Sequence, residues 1–341
     1  MKTNWLFLAG WLTMSFRVLA QYSFTTLDGP GATKTEIYGI SGNNLVGYYV
    51  NAGVTHGFLY SGGSFTPLDP PGSVQTYATG ISGNTVVGYY QASSGGYRGF
   101  IYAAGSYATN LSYAGASQTY FWGVNGTNVA GYSSIGSFTY NGNIYSSFAV
   151  PGSYATTALG IAPSGMVGFY TTNNNDHAHG FFYNGSTYTR LDYPAALFTQ
   201  GYGLENTTVV GCYMDTTLYL THGFIYNRSS FAPIDVAGAN ETFAYAISGG
   251  QIVGSYTTNG VTHGFLATPA SNPVQLKLTL SGTNLILHWT NSVAGYALQS
   301  STNLAASSAW MNLVTNPPMI NGEYTYTNPA IPTKNFFRLI K

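Results

Sequence analysis

A chain of 341 residues with zero net charge, 6% charged and 16% aromatic side chains carries no Lys/Arg run to meet a phosphate backbone, which excludes nucleic acid as a partner. Low charge alone could mean disorder, but disordered chains are also poor in aromatics. With 43 glycines and 30 tyrosines the composition points to strands joined by tight turns, because Tyr, Val, Ile and Thr suit a pleated surface and Gly suits its corners.

The first element, residues 1–20, reads as a signal peptide. Lys2 supplies the positive start, Trp5 to Phe16 the apolar stretch, and Val18-Leu19-Ala20 the small-residue cleavage site. About 12 apolar residues are too few to span a bilayer, and no later segment is long enough. Cleavage removes Lys2 and Arg17 and leaves a net charge of about −2. The expected location is outside the cytoplasm: periplasm, cell surface or medium. Cys212 is the single cysteine, so no internal disulfide can form, and it reads as a buried, inert thiol.

Residues 21–269 hold six copies of one repeat of about 42 residues. The first signature is Gly39-Ile40, Gly80-Ile81, Gly123-Val124, Gly160-Ile161, Gly203-Leu204 and Ala246-Ile247. The second is Val46-Gly47-Tyr48, Val87-Gly88-Tyr89, Ala130-Gly131-Tyr132, Val167-Gly168-Phe169, Val210-Gly211-Cys212 and Val253-Gly254-Ser255. The third is Gly57-Phe58, Gly99-Phe100, Ser137-Phe138, Gly180-Phe181, Gly223-Phe224 and Gly264-Phe265. Each repeat reads as four short strands. In the first copy these are Ile37 to Ser41, Leu45 to Val50, Gly57 to Ser61 and Phe65 to Asp69, with Gly42-Asn43-Asn44 and Gly62-Gly63 at hairpin turns. Four strands per repeat predict an all-β fold, a six-bladed β-propeller.

The fourth strand ends in an apolar residue and Asp: Leu68-Asp69, Leu191-Asp192 and Ile234-Asp235, with weaker copies at Leu111-Ser112 and Phe148-Ala149. No such strand follows Gly264-Phe265. A spare copy, Phe24-Thr25-Thr26-Leu27-Asp28, stands instead near the N-terminus. It is expected to complete the sixth blade, cover its edge and close the ring.

His56-Gly57-Phe58, His179-Gly180-Phe181, His222-Gly223-Phe224 and His263-Gly264-Phe265 carry a resemblance to the HAF family of extracellular repeat proteins, known from bacterial secreted proteins. The turns Pro30-Gly31-Ala32, Pro71-Gly72-Ser73 and Pro151-Gly152-Ser153 add to it, and it covers roughly residues 22 to 268. The sequence departs from the family in having Gly where the family name has Ala, and in Arg98 and Gly136 or Ser137, which stand where two of the histidines should be. The resemblance implies an exported repeat protein and no particular activity.

Beyond Asn272 the period is lost. Val274, Leu276, Leu278 and Leu280 alternate, then Leu285, Leu287 and Trp289, which marks half-buried strands. Residues 270–341 read as a small β-sandwich. Leu287-His288-Trp289, Tyr296 to Leu304, Trp310 and Phe336-Phe337-Arg338-Leu339 resemble a fibronectin-III-like module of secreted bacterial proteins, which implies an accessory or surface-retention role.

The four histidines recur one per repeat, so they cannot converge to within roughly 2.1 Å of one metal ion. They are expected to bond backbone between strands. Asp28, Asp69, Asp192 and Asp235 are expected to bond their own turns. No metal or other cofactor is implied; Asn173 to Asp176 offers only a thin version of a calcium loop. A function is sought where the repeat is broken. The loops 171–177 and 214–220 are longer than residues 51–55, and long connections are enriched in binding roles. On their face the sequence places Lys34, Glu36, Gln75, Gln118, Tyr193 and Glu241. Candidate binding residues are therefore Trp122, Asp176, His177, Tyr193, Asp215, Tyr219 and Glu241. The expected function is non-catalytic binding of a polysaccharide or a cell-surface protein by a monomeric chain. The alternatives are a polysaccharide-active enzyme, whose carboxylates would come from Glu36, Asp176, Glu205, Asp215 and Glu241, or a purely structural envelope protein.

Overall fold

The computed structural model describes residues 22–270 and, further on, 276–281, 284–290, 297–301, 310–314, 317–320, 323–329 and 336–340. The expected signal peptide lies outside the described residues, as do Val274, Tyr296 and Thr302 to Leu304 of the tail motifs. Among the described residues the secondary structure is all strand, and no helix is long and apolar enough to cross a membrane. The chain divides between Pro269 and Ala270 into two compact units.

The first unit opens with β1 (Tyr22–Leu27). Repeat 1 is β2 (Lys34–Ser41), β3 (Asn44–Asn51), β4 (Val54–Ser61) and β5 (Ser64–Pro67). Repeat 2 is β6 (Ser73–Ser82), β7 (Thr85–Ala92), β8 (Tyr97–Ala103) and β9 (Ser106–Leu111). Repeat 3 is β10 (Thr119–Asn125), β11 (Asn128–Ser133), β12 (Gly136–Tyr140) and β13 (Tyr145–Phe148). Repeat 4 is β14 (Ala155–Ala162), β15 (Gly165–Thr171), β16 (His179–Tyr183) and β17 (Tyr188–Leu191). Repeat 5 is β18 (Ala196–Glu205), β19 (Thr208–Asp215), β20 (Thr221–Tyr226) and β21 (Phe231–Ile234). Repeat 6 is β22 (Glu241–Ser248), β23 (Gln251–Thr258) and β24 (Val261–Pro269). Repeats 2 to 5 are each a four-stranded antiparallel meander of propeller-blade type. Repeat 6 takes its fourth strand from the other end of the chain: β1 pairs with β24 from Tyr22↔Pro269 to Leu27↔Gly264. One parallel bridge, Lys34↔Thr262, joins repeats 1 and 6 into a single sheet.

The signatures are the core. Val46, Val87, Ala130, Val167, Val210 and Val253 are fully buried, as are Phe58, Phe100, Phe138, Phe181, Phe224 and Phe265. In each repeat the first strand slips register against the second just before the first signature, between Ile37 and Gly39 in repeat 1 and Ala244 and Ala246 in repeat 6. This is a β-bulge, and it pushes a carbonyl over the second-signature glycine. A Cβ on Gly47 would lie 2.0 Å from the Glu36 carbonyl, and one on Gly254 would lie 1.8 Å from that of Phe243. The first-signature glycines meet the neighbouring repeat instead. A Cβ on Gly80, Gly123 or Gly160 would lie 2.4 to 2.5 Å from the backbone oxygen of Trp122, Leu159 or Tyr202.

Two side-chain clamps tie strands together, and they correct the expected roles of His and Asp. The histidines bond the aspartates rather than backbone. His56 Nδ1 meets Asp69 Oδ2 at 2.7 Å, His179 meets Asp192 at 3.0 Å, His222 meets Asp235 at 3.0 Å, and His263 meets Asp28 at 2.7 Å. Antiparallel pairing of the third and fourth strands sets the two residues side by side. The second oxygen of Asp69 and of Asp235 accepts the N–H of Gly57 and Gly223 at 3.2 Å, so these carboxylates bind the neighbouring strand and not their own turn. Repeats 2 and 3 have lost both partners together, with Ser112 and Ala149 at the Asp positions.

The second clamp is a threonine. Thr35, Thr119, Thr156, Thr199 and Thr242 each accept the backbone N–H of the residue six places earlier, at 2.8 to 3.2 Å. Thr76 occupies the same place in repeat 2, but six places earlier stands Pro70, which has no N–H, and the buried Thr76 hydroxyl has no partner.

The second unit contains β25 (Lys277–Ser281), β26 (Asn284–Thr290), β27 (Ala297–Ser301), β28 (Met311–Val314), β29 (Met319–Ile320), β30 (Glu323–Pro329) and β31 (Phe336–Ile340). Two sheets, ordered β25-β26-β30-β29 and β28-β27-β31, share a core of Leu287, Trp289 and Leu298, with Leu313, Tyr324 and Phe337 packed on it.

Gly254→Ala is expected to lower stability at or above the top of the ~1–3 kcal/mol range for overpacking, while Gly62→Ala, whose Cβ meets nothing, should lose about 1 kcal/mol from its left-handed φ alone. Thr119→Val should cost about 1–3 kcal/mol by stranding the Tyr113 N–H, whereas Thr76→Val should be neutral or stabilising. Denaturant midpoints of the four variants check both pairs.

Candidate functional site

The bulge sets the site. Its extra residue is Tyr38, Thr79, Trp122, Leu159, Tyr202 or Tyr245 in repeats 1 to 6, and all six line one cavity of about 110 Å³ with the glycine and aliphatic residues that follow them. That space holds a few waters and no sugar ring.

At the end of this cavity nearest the starts of the first strands lies a tract of rings drawn mainly from repeats 1 to 3. Tyr38 lies 5.7 Å from Tyr48, Tyr48 lies 4.9 Å from Tyr77, and Tyr77 stacks on Tyr89 at 4.7 Å. Tyr89 then meets Tyr97 at 5.6 Å and Tyr120 at 4.9 Å, and Tyr120 stacks on Tyr132 at 4.8 Å. Trp122 sits in the same tract, 5.3 Å from Tyr38 and 6.2 Å from Tyr89. Tyr77, Tyr89, Tyr97, Tyr120 and Tyr132 are half-buried, so the tract keeps part of its surface open to solvent.

Polar groups orient the phenols. Tyr77 donates to Gln75 at 3.1 Å and Tyr120 donates to Gln118. The buried Glu36 carboxylate accepts the Tyr38 hydroxyl at 2.7 Å and that of Tyr245 at 3.3 Å, and takes the Lys34 ammonium at 2.8 Å. Lys34 also lies 5.5 Å over the Tyr48 ring. Burial, and secondly the Glu36 charge, raises the Tyr38 and Tyr245 phenols well above their ordinary value. Burial pushes Tyr132 up to about 12. Cys212, fully buried, has its thiol raised by desolvation and is unreactive.

The loop residues singled out from sequence are placed differently. Asp215 holds its own loop, accepting the N–H groups of Thr217 and Leu218 at 2.7 and 2.6 Å and of Leu220 at 3.1 Å. These bonds, that from Leu218 first, pull its carboxyl down to about 2. Asp176 is held by Thr172 through hydroxyl and N–H, which lowers it likewise to about 2. His177 and Tyr219 are exposed on those loops. Tyr193 stacks on Tyr213 with centroids 3.5 Å apart and joins the repeat 5 core. Glu205 lies at the far end of β18, where it caps the N–H groups of Gly249 and Gly250. Of the seven candidates only Trp122 joins the tract. Glu241 is the first residue of β22, half-buried, and is not among the residues of the tract or the cavity. In the sequence Tyr77 and Tyr120 on the first strands belong to no signature, and Tyr48, Tyr89 and Tyr132 read as repeat signature rather than as a site. Their signal is positional: they share the strand face of the bulged residue.

No protein-family model matches the chain, and no curated protein matches it. Solved structures do resemble it. The β-propeller domain of the Trilobed protease from Pyrococcus furiosus is similar at 8% identity and a TM-score of 0.44, over 76% of this chain and 90% of that one. An acylaminoacyl peptidase from Pyrococcus horikoshii is similar at 9% identity and a TM-score of 0.43, over 84% of this chain. A Trypanosoma rangeli sialidase is similar at 8% identity and a TM-score of 0.41, over 72% of this chain. The chain spans about half the length of these last two, at 54% and 56%. At such identities no activity passes between the proteins.

Because the raised phenols ionise more readily in the unfolded chain, their stabilisation is complete below about pH 10 and is lost as pH climbs above it. Tyrosinate absorbance is expected to show a late, steep step that coincides with loss of β-sheet circular dichroism. One smooth titration in a chain that stays folded would contradict the burial of Tyr38, Tyr202 and Tyr245.

Proposed function

We propose that the chain is an exported, monomeric, non-catalytic binding propeller that holds a carbohydrate on the tyrosine tract of repeats 1 to 3. In this reading the six repeats are six blades of one ring, and β1 closes it. The pairing of β1 with β24 supports closure, as does the 4.5 Å contact of Tyr38 in the first repeat with Tyr245 in the last. The HAF-type resemblance supports export. The tail, read as a fibronectin-III-like module, would serve as an accessory or retention domain; its two-sheet core is in keeping with that.

One observation carries the reading: a run of part-exposed tyrosines, two of which, Tyr77 and Tyr120, have their hydroxyls fixed by side-chain amides. Ring faces stack on the C–H faces of sugars, and oriented hydroxyls and amides bond their O–H groups. Many aromatic rings and few charges also suit an uncharged partner better than a charged one. A polysaccharide-active enzyme would need two carboxylates facing one glycosidic bond. Asp176, Asp215 and Glu205 are each committed to a separate loop or turn.

A glycan array on the mature chain, followed by calorimetry on the best ligand, tests this. Tyr97→Ala and Tyr120→Ala are each expected to weaken binding about tenfold or more, while Tyr154→Ala, an exposed ring outside the tract, leaves it unchanged. Release of reducing ends or unsaturated products would support the enzyme instead.

A further inference from the structure

Equivalent parts of the repeats lie at the same end of the array. A Cβ on each first-signature glycine would come within 2.8 to 3.3 Å of the Cα of its counterpart in the next repeat, from Gly39 through to Ala246. Where the first strands finish, Ser41 and Ser82 accept the turn N–H groups of Gly83 and Gly126 in the next repeat. The starts of the first strands and the connections from second to third strand therefore share the opposite end.

That end differs from the other in two ways. It holds eight of the nine carboxylates between residues 22 and 269, against three cations, Lys34, Arg98 and Arg190; the other end has Glu205 and Arg228. With histidines neutral, a surplus of five negative charges stands at one end and none at the other. It also exposes an apolar side chain from every repeat. Val54, Ile135, Leu218, Tyr219 and Val261 lie in or beside second-to-third connections, and Val74 and Tyr154 at first-strand starts. Among the described residues of the first unit, Ile144 is the one large exposed apolar side chain at the other end.

Repeat 5 shows this most clearly. Leu218 and Tyr219 are adjacent and 69% and 64% exposed. Their loop is held firmly: Asp215 accepts three of its N–H groups at 2.6 to 3.1 Å and meets His222 Nε2 at 3.3 Å. Tyr219 has φ 58°, a left-handed conformation that is strained for a bulky residue. The matching loop of repeat 4, held in the same manner by Asp176, turns Asn173, Asn174 and Asn175 to solvent instead. In repeat 5 hydrogen bonds and a strained residue together keep two large apolar side chains rigid in water.

We infer that this end of the array docks a basic polypeptide, with Leu218 and Tyr219 as its anchor. A ring already fixed on a rigid loop loses little freedom on binding, which is why such residues anchor protein interfaces. The carboxylates around it, although bonded to histidines and loops, attract a cationic partner and repel an anionic one. A second copy of the same end is repelled likewise. Neither anchor residue belongs to the tyrosine tract, so this docking is independent of the carbohydrate reading.

Three short peptides of equal length, alternating lysine with leucine, lysine with serine and glutamate with leucine, separate the possibilities by fluorescence anisotropy on the mature chain in low-salt buffer. The lysine–leucine peptide is expected to bind about tenfold tighter than either of the others, and added salt to weaken it. Tyr219→Gly removes the ring and suits the left-handed backbone. Its denaturant midpoint should hold or rise while affinity for the lysine–leucine peptide falls about tenfold. Ile144→Ser, at the other end, should leave that affinity as it was. Equal binding of the lysine–serine peptide, equal or tighter binding of the glutamate–leucine peptide, or no binding at all overturns the docking surface. So does an affinity untouched by Tyr219→Gly or lowered as much by Ile144→Ser, and so does a midpoint that falls in Tyr219→Gly, which would make the ring part of the fold.

Discussion

Everything in the first unit depends on how closely its first strands approach one another. At Gly80, Gly123, Gly160 and Gly203 the next strand's backbone lies where a Cβ would be. That approach is possible only because a bulge one residue earlier turns a side chain aside. The bulge therefore does two things at once. It lets backbones meet at the centre of the repeats, and it delivers one side chain per repeat to the cavity there. Five repeats use glycine and the sixth uses Ala246, in the repeat whose sheet is completed by β1.

Much of this was legible in the sequence because the glycines are spaced by the fold. A residue required at one depth in each blade recurs at the blade's own period, and so do the Val and Phe positions that fill the core. The missing fourth strand was legible for the same reason, since Phe24 to Asp28 repeats a pattern that repeat 6 lacks. The first strands run three residues further than read, back to Lys34, because their polar starts carry no apolar alternation. His56 and Asp69 stood in plain view as repeated letters, but their pairing needed the strand register, which sequence spacing alone does not supply.

The site was harder to see for a physical reason. Long loops with Asp and Asn look like ligand-gathering devices, yet Asp176 and Asp215 spend their oxygens on the N–H groups of the loops themselves. The open aromatic surface lies on strands, where a tyrosine looks like any other strand-forming residue. Its asymmetry is the better guide. Repeats 2 and 3, which lost the His–Asp clamp, are the ones that supply Tyr77, Tyr89, Tyr97, Tyr120 and Tyr132. Two copies have traded a generic fastening for rings, and in repeat 2 Thr76 and Pro70 show that the other fastening has lapsed as well.

The strand pairing of β1 with β24 also has a consequence in time. Asp28 and His263 are 235 positions apart, so the opening stretch of the described chain finds its partner only when nearly all of the repeat array has been made. Until then the first blade can form alone, while residues 22–27, alternately apolar and polar, have no strand to pair with. Assembly of the array is thus gated by its own completion, and a ribosome stalled before residue 264 leaves a nascent product with a sticky leading segment and an unfinished final sheet.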